Sequence, residues 1–300
     1  MLKLSGINLG CFLEYDNTWQ QEVNIYAIVN TLKIHNMNTI RLIISSDLIS
    51  NKEYISKLNN ILSITSNNNI YCIITFGGEN LFSNNSWISF TKMLSSEEEK
   101  YNIINKFSNL WFEFSGMIRD YSDYLIIEPF NEIHDGQWGH GLNQFDNGKS
   151  YEIINMLNFA AIKAVEMNIK NPKYIIKSYC QQQEMICKLD KRLFKIKNSY
   201  IGAAFYGSNY RFSITGEEPF FNEEEQKNFI KNSKGLKTKN LLFTEIGCAT
   251  SKLPLKESKK YFDFLKKNLL NNKKYSYLLW DDGGDFKYIN RLTGEWLYEI

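Results

Sequence analysis

Glu132 and Glu245 are the residues of this chain whose neighbours single them out for chemistry. Glu132 lies in Glu128-Pro129-Phe130-Asn131-Glu132-Ile133-His134, and Glu245 in Leu242-Phe243-Thr244-Glu245-Ile246-Gly247. In each, an apolar run of strand type leads to a carboxyl group, a placement that costs stability unless the group has a use there. Two carboxyl groups held together suit cleavage of a glycosidic bond: one, protonated, serves the leaving oxygen, and the other, ionised, faces the oxocarbenium-like transition state. Two strand-end glutamates alone fit solvated or ion-paired surface groups equally well. Their company narrows the choice. Arg41 ends the second strand in Thr39-Ile40-Arg41-Leu42, Tyr206 ends the sixth in Ala204-Phe205-Tyr206-Gly207, and Trp280 closes the eighth.

Something must bring these distant residues together, and the hydrophobic pattern says what. Short apolar runs alternate with longer amphipathic stretches along the whole chain. The strands are predicted over Leu4 to Leu9, Thr39 to Ile44, Tyr71 to Phe76, Leu125 to Pro129, Tyr174 to Ser178, Tyr200 to Phe205, Asn240 to Glu245 and Tyr275 to Trp280. Helices are predicted over Glu22 to His35, Lys52 to Asn67, Ser96 to Tyr121, Ser150 to Met167, Asn222 to Ser233 and Leu255 to Asn271, with a short one near Glu184 to Phe194. Ser96 followed by Glu97, Glu98 and Glu99 is a capping serine with acidic charge in the first turn. Serial βα units with no linker or composition break predict an α/β fold, a (β/α)8 TIM barrel, with residues 1–300 as a single catalytic domain. A doubly wound sheet would carry a glycine-rich phosphate loop, and Gly6 and Gly10 do not form one. In a barrel, chemistry sits where strands end and βα loops begin, which is where these residues fall.

Composition removes other classes. Lys plus Arg (35) nearly cancel Asp plus Glu (33), so no long-range field draws in nucleic acid or an anionic membrane. No run approaches the roughly 18 apolar residues of a membrane span, and the N-terminus lacks the apolar core of a signal peptide. As written the chain reads as cytoplasmic, or as secreted if a leader has been removed. The three histidines are too few for a His-rich metal site, so no metal or other cofactor is expected. Cys11, Cys72, Cys180, Cys187 and Cys248 show no CxxC spacing and predict buried free thiols. The expected partner is an uncharged glycan, with the chain acting as a monomer.

The full set of residues, in this strand order, resembles glycoside hydrolase family 5, the cellulase-like family of the large retaining (β/α)8 clan. The resemblance runs from Gly6-Ile7-Asn8-Leu9-Gly10 to Asn290-Arg291-Leu292-Thr293-Gly294-Glu295-Trp296. It implies Glu132 as acid/base and Glu245 as nucleophile. It further implies that Asn131 bonds the 2-hydroxyl of the attacked sugar, that Arg41 and Tyr206 orient the nucleophile, and that Trp280 floors that sugar's subsite. The implied activity is double displacement on a β-linked polysaccharide or oligosaccharide, of endo-β-1,4-glucanase type, with carboxyl groups about 5 to 5.5 Å apart.

Two departures stand out. Histidines that the family usually carries after the third strand and two residues before the sixth-strand tyrosine are replaced by Gly77-Gly78 and Ala204. His134 and His140 are either substitutes for them or ordinary loop residues, and His134 is taken as a substrate-binding candidate. Trp19, Trp87 and Trp138 follow strands one, three and four and are candidate sugar platforms, Trp138 foremost. The acidic turn at Asp281, Asp282 and Asp285 is expected to bond sugar hydroxyls or its own backbone rather than a metal. The missing histidines leave a carbohydrate-binding protein without activity as the contrasting reading, and an exo-β-glycosidase of a neighbouring family as another.

Overall fold

The computed structural model describes residues 2–14, 22–77, 96–133, 149–181, 183–206, 223–224, 227–228, 231, 240–247, 255–271 and 275–298. Eight strands, β1 (Ser5–Leu13), β2 (Thr39–Ile44), β3 (Tyr71–Phe76), β4 (Leu125–Glu128), β5 (Tyr174–Lys177), β6 (Ser199–Tyr206), β7 (Leu241–Gly247) and β8 (Ser276–Asp281), pair in sequence order, and β8 pairs with β1. Every pairing is parallel, so the sheet closes into a barrel, and helices occupy the crossovers as parallel connections require.

The described helices are α1 (Ile25–Ile34), α2 (Lys52–Asn67), α3 (Glu97–Ile118), α4 (Lys149–Glu166) and α5 (Leu255–Leu265). The starts of α1, α2 and α3 are set by side chains that accept otherwise unmet backbone N–H groups. Asn24 accepts from the Ala27 amide, Asn51 from Glu53 and Tyr54, and Ser96 from Glu99. The capping Asn24 starts α1 at Ile25, three residues beyond the expected Glu22. Past α5 the chain continues as a π-helical turn over Lys266–Leu270. The stretch after β5 forms 3-10 turns, Gln183–Lys188 and Leu193–Lys195, in place of one short helix. The helix expected over Asn222 to Ser233 lies mostly outside the described residues.

Strand residues alternate between two apolar environments. Ile7, Leu9, Ile40, Leu42, Ile74, Phe76, Ile127, Ile176 and Phe243 join the large core under the helices. A separate core fills the lower lumen: Leu4, Ile73, Ile126, Ile175, Tyr200, Leu242 and Leu278, with Tyr71 against it. Above this plug, two residues further along the same strands, stand Thr75, Glu128, Lys177 and Thr244, all buried. Cys72 and Cys180 are buried and outside any disulfide, whereas Cys11 is only half-buried and Cys187, on the 3-10 turn Gln183–Lys188, is exposed, contrary to expectation.

Candidate active site

β4 stops at Glu128 because Pro129 has no N–H for the ladder. The segment that follows is pinned to three neighbours. Trp111 Nε1 donates to the Pro129 carbonyl at 2.9 Å, Asn131 N to the Phe76 carbonyl at 2.9 Å, and Cys180 N to the Ile133 carbonyl at 3.0 Å. Glu132 is thereby held over the lumen, buried.

Glu245 reaches the same space through a bulge. Ala203 pairs with Phe243 and Ala204 with Glu245, so β7 carries one extra residue at this point, and the β8 register slips there too. An extra residue breaks the alternation. Thr244 and Glu245 can therefore both serve the lumen, and both make bonds there.

Arg41 connects the set. Its Nε and Nη2 donate to the two oxygens of Glu128 at 2.5 and 2.9 Å, Nη1 donates to Glu245 Oε1 at 2.9 Å, and Nη2 also reaches Asn131 Oδ1 at 2.7 Å. Arg41 does not end its strand, as the sequence suggested. It is the third residue of β2, with Leu42, Ile43 and Ile44 beyond it, and its long side chain spans the difference. Glu245 also accepts from Tyr206 Oη at 2.5 Å and, at 3.5 Å, from Asn8 Nδ2. Because Asn131 Oδ1 is occupied by Arg41, its Nδ2 amine is the part of that side chain that can donate to a ligand.

Trp280 is the next-to-last residue of β8, not its closing one, and pairs in register with Asn8. Its indole lies against Gly10, where an added Cβ would come within 2.1 Å of Cη2. Only glycine permits that approach. Thus Glu132, Glu245, Arg41, Asn131, Tyr206 and Trp280 gather at one end of the barrel. His134, Trp138, His140, Trp19, Trp87 and Gly78 lie outside the described residues.

Several residues that the sequence reading passed over complete the site. Glu128 forms ion pairs with both Arg41 and Lys177, and all three side chains are fully buried. Lys177 finds room because its neighbour is Gly202, whose Cβ would crowd the lysine Cδ at 3.2 Å. The Lys177 ammonium also donates to Gln181 Oε1, which accepts from Thr244 Oγ1 at 2.5 Å as well. Gln181 Nε2 in turn donates to Glu132 Oε1 at 3.1 Å.

Two carboxyl groups of this network, Glu132 and Glu128, are shifted in opposite directions. Burial and the charge of Glu245 push the Glu132 carboxyl well above the usual carboxylate range, against the pull of Lys177, Arg41 and the Gln181 bond. Burial opposes ionisation of Glu128 too, but Arg41 and Lys177 together hold it below its ordinary value. Arg41 and Lys177 thus share Glu128 in one buried set, and Arg41 extends it to Glu245. Chemically, the arrangement places a proton donor opposite a carboxylate fixed by three donors. Among the described residues, no group of His, Cys, Asp and Glu is arranged to hold a metal. Asp281 accepts from the Gly283, Tyr288 and Ile289 amides and from Arg291, so it bonds its own turn.

Comparison with known proteins gives a consistent picture. A family described as cellulase (glycosyl hydrolase family 5) matches residues 3–285. Endoglucanase B of Clostridium cellulovorans is 24% identical over 178 residues, which are 53% of this chain and 36% of that protein. The chain thus matches little more than a third of that relative's length. Among solved structures, a GH5-4 broad specificity endoglucanase from Bacteroides salanitronis is similar with a TM-score of 0.80 and 19% identity, over 99% of this chain and 89% of that one. A family 5 xyloglucanase from Paenibacillus pabuli is similar at 0.73 and 18%, over 96% and 93%. At such identities the structural likeness speaks to the barrel.

Proposed function

Because the chain belongs to the cellulase family, glycosyl hydrolase family 5, we propose that it is a retaining glycosidase acting on a β-linked glycan, with Glu132 as acid/base and Glu245 as nucleophile. The observation that carries this is the contrast between the two carboxyl groups. Glu132 is buried and biased toward its protonated form, whereas Glu245 accepts from Arg41, Tyr206 and Asn8. That is the division of labour double displacement needs.

In the first step Glu245 attacks the anomeric carbon while Glu132 protonates the departing glycosidic oxygen, giving a glycosyl-enzyme. Arg41 and Tyr206 hold one oxygen of Glu245 each, so the nucleophile enters without reorganising its surroundings. Glu132, ionised by its loss, then takes a proton from the water that releases the sugar with retained configuration. Asn131 Nδ2 donates to the 2-hydroxyl, and the Trp280 indole floors the subsite. His134 and Trp138 are further candidates for sugar contacts. The substrate class is an endo-cleaved β-1,4-glucan or a branched relative such as xyloglucan. The chain works as one catalytic domain and as a monomer, with no cofactor.

The test is product release from β-glucans, xyloglucan, mannans and xylans by wild type and Glu245→Gln, read by mass spectrometry. Oligosaccharides from wild type, and a loss of about 10⁴-fold or more in the variant, support the reading. Glycan binding without cleavage by either protein would replace it with a binding role.

A further inference from the structure

Gln181 is placed in a way that neither packing nor the reaction outlined above explains. It follows β5, is fully buried, and sits in a left-handed backbone conformation (φ 53°) directly after another, Cys180 (φ 46°). Two successive non-glycine residues in this region cost about 1 kcal/mol each or more. The result of that geometry is that the Gln181 amide turns back into the lumen. There its oxygen meets two donors, Lys177 Nζ and Thr244 Oγ1, and its nitrogen meets Glu132 Oε1 at 3.1 Å and Asn131 Oδ1 at 3.4 Å.

We propose that Gln181, oriented by Lys177 and Thr244, is the positioning residue of the acid/base Glu132. The proposal rests on the assignment of Glu132 made above. Donors and acceptors fix the orientation of the amide. An ammonium has only donors, so the amide oxygen must face Lys177 and the NH2 must face Glu132. Glu132 Oε1 is thereby committed as an acceptor, and the acidic proton resides on Oε2, free for the glycosidic oxygen. After transfer, the same N–H supports the carboxylate that must deprotonate water. An amide cannot itself titrate, so the proton inventory stays with Glu132. Among the described residues, the charged or titratable groups facing Glu132 are Glu245 from β7, Lys177 from β5 and Arg41 from β2.

Gln181→Glu is the sharpest variant, because it keeps an acceptor for Lys177 and Thr244, removes the donor to Glu132 and sets a second carboxyl group beside it. Its kcat/KM is measured against pH on β-1,4-gluco-oligosaccharides and on 4-nitrophenyl β-cellobioside, beside wild type, Gln181→Met and Glu132→Gln. The alkaline limb should rise by about 1 pH unit, since a second carboxylate makes the first harder to ionise. Turnover of oligosaccharide should fall by roughly 10- to 100-fold, and that of the nitrophenyl substrate far less, because its leaving group needs little protonation. Gln181→Met should move the limb the same way by less. Equal losses on both substrates with an unmoved limb in either folded Gln181 variant would overturn the role of Gln181 and leave Glu132 standing. Undiminished cleavage of oligosaccharide by Glu132→Gln would overturn both.

Discussion

The lumen of this barrel is built as two layers with opposite rules. The lower one, Leu4, Ile73, Ile126, Ile175, Tyr200, Leu242 and Leu278, is stabilised by area removed from water and by close packing. The upper one, Asn8, Arg41, Glu128, Lys177, Gln181, Thr244 and Glu245, is as deeply buried but holds together through pairing alone. In the lower layer a missing atom leaves a gap that neighbours partly close. In the upper layer a missing partner leaves a stranded charge. The close-packed lower layer is the base on which the upper layer's charged groups are held.

The contrast can be tested by perturbing each layer. Glu128→Gln should have the largest effect, about 3–5 kcal/mol in urea unfolding, because Arg41 and Lys177 lose their shared anion in a buried setting. Leu278→Ala should cost a comparable or smaller amount, about 2–5 kcal/mol, yet leave the pH profile of catalysis unmoved. A shifted profile in Leu278→Ala would mean the layers are not separable.

The pH dependence of stability offers a subtler discrimination. Glu128 is lowered by folding, so its contribution is present above its unfolded value near 4.3 and is lost as pH falls through the folded one. Glu132 is raised, so its sign is opposite: its contribution is present below about 4.3 and declines as pH rises through the folded value. Glu132→Gln should accordingly gain stability over wild type at neutral and alkaline pH, read as the thermal midpoint across pH. No such gain would count against a neutral buried Glu132. Ile175→Val, the mildest change, should cost about 0.5–1.5 kcal/mol equally at every pH.

Much of this was readable beforehand, and the exceptions have physical causes. The eight strands were legible because apolar runs of this length between capped amphipathic stretches admit few alternatives, and β2 and β3 agree end to end. β7 ran past its expected end at Glu245 to Gly247 around a bulge, which leaves no mark in composition. The six described candidate residues that gather at one end of the barrel were singled out because strand order and residue type coincide with the family. Lys177 escaped notice because a lysine after Tyr174-Ile175-Ile176 looks like a strand emerging into solvent. Gln181 escaped because its left-handed backbone has no glycine to announce it. One signal was available. Ile73 and Thr75, Ile126 and Glu128, Ile175 and Lys177, and Leu242 and Thr244 each step from apolar to polar at a spacing of two, which is the lumen face turning from plug to site.

The contact between Trp280 and Gly10 bears on how such a cleft changes over generations. The indole rests on bare backbone, so position 10 sets how close the ring of residue 280 lies to β1. A single methyl group there must lift or tilt the ring while every charged group keeps its partner. The two positions form a sterically coupled pair that can be reshaped while the charged network stays as it is.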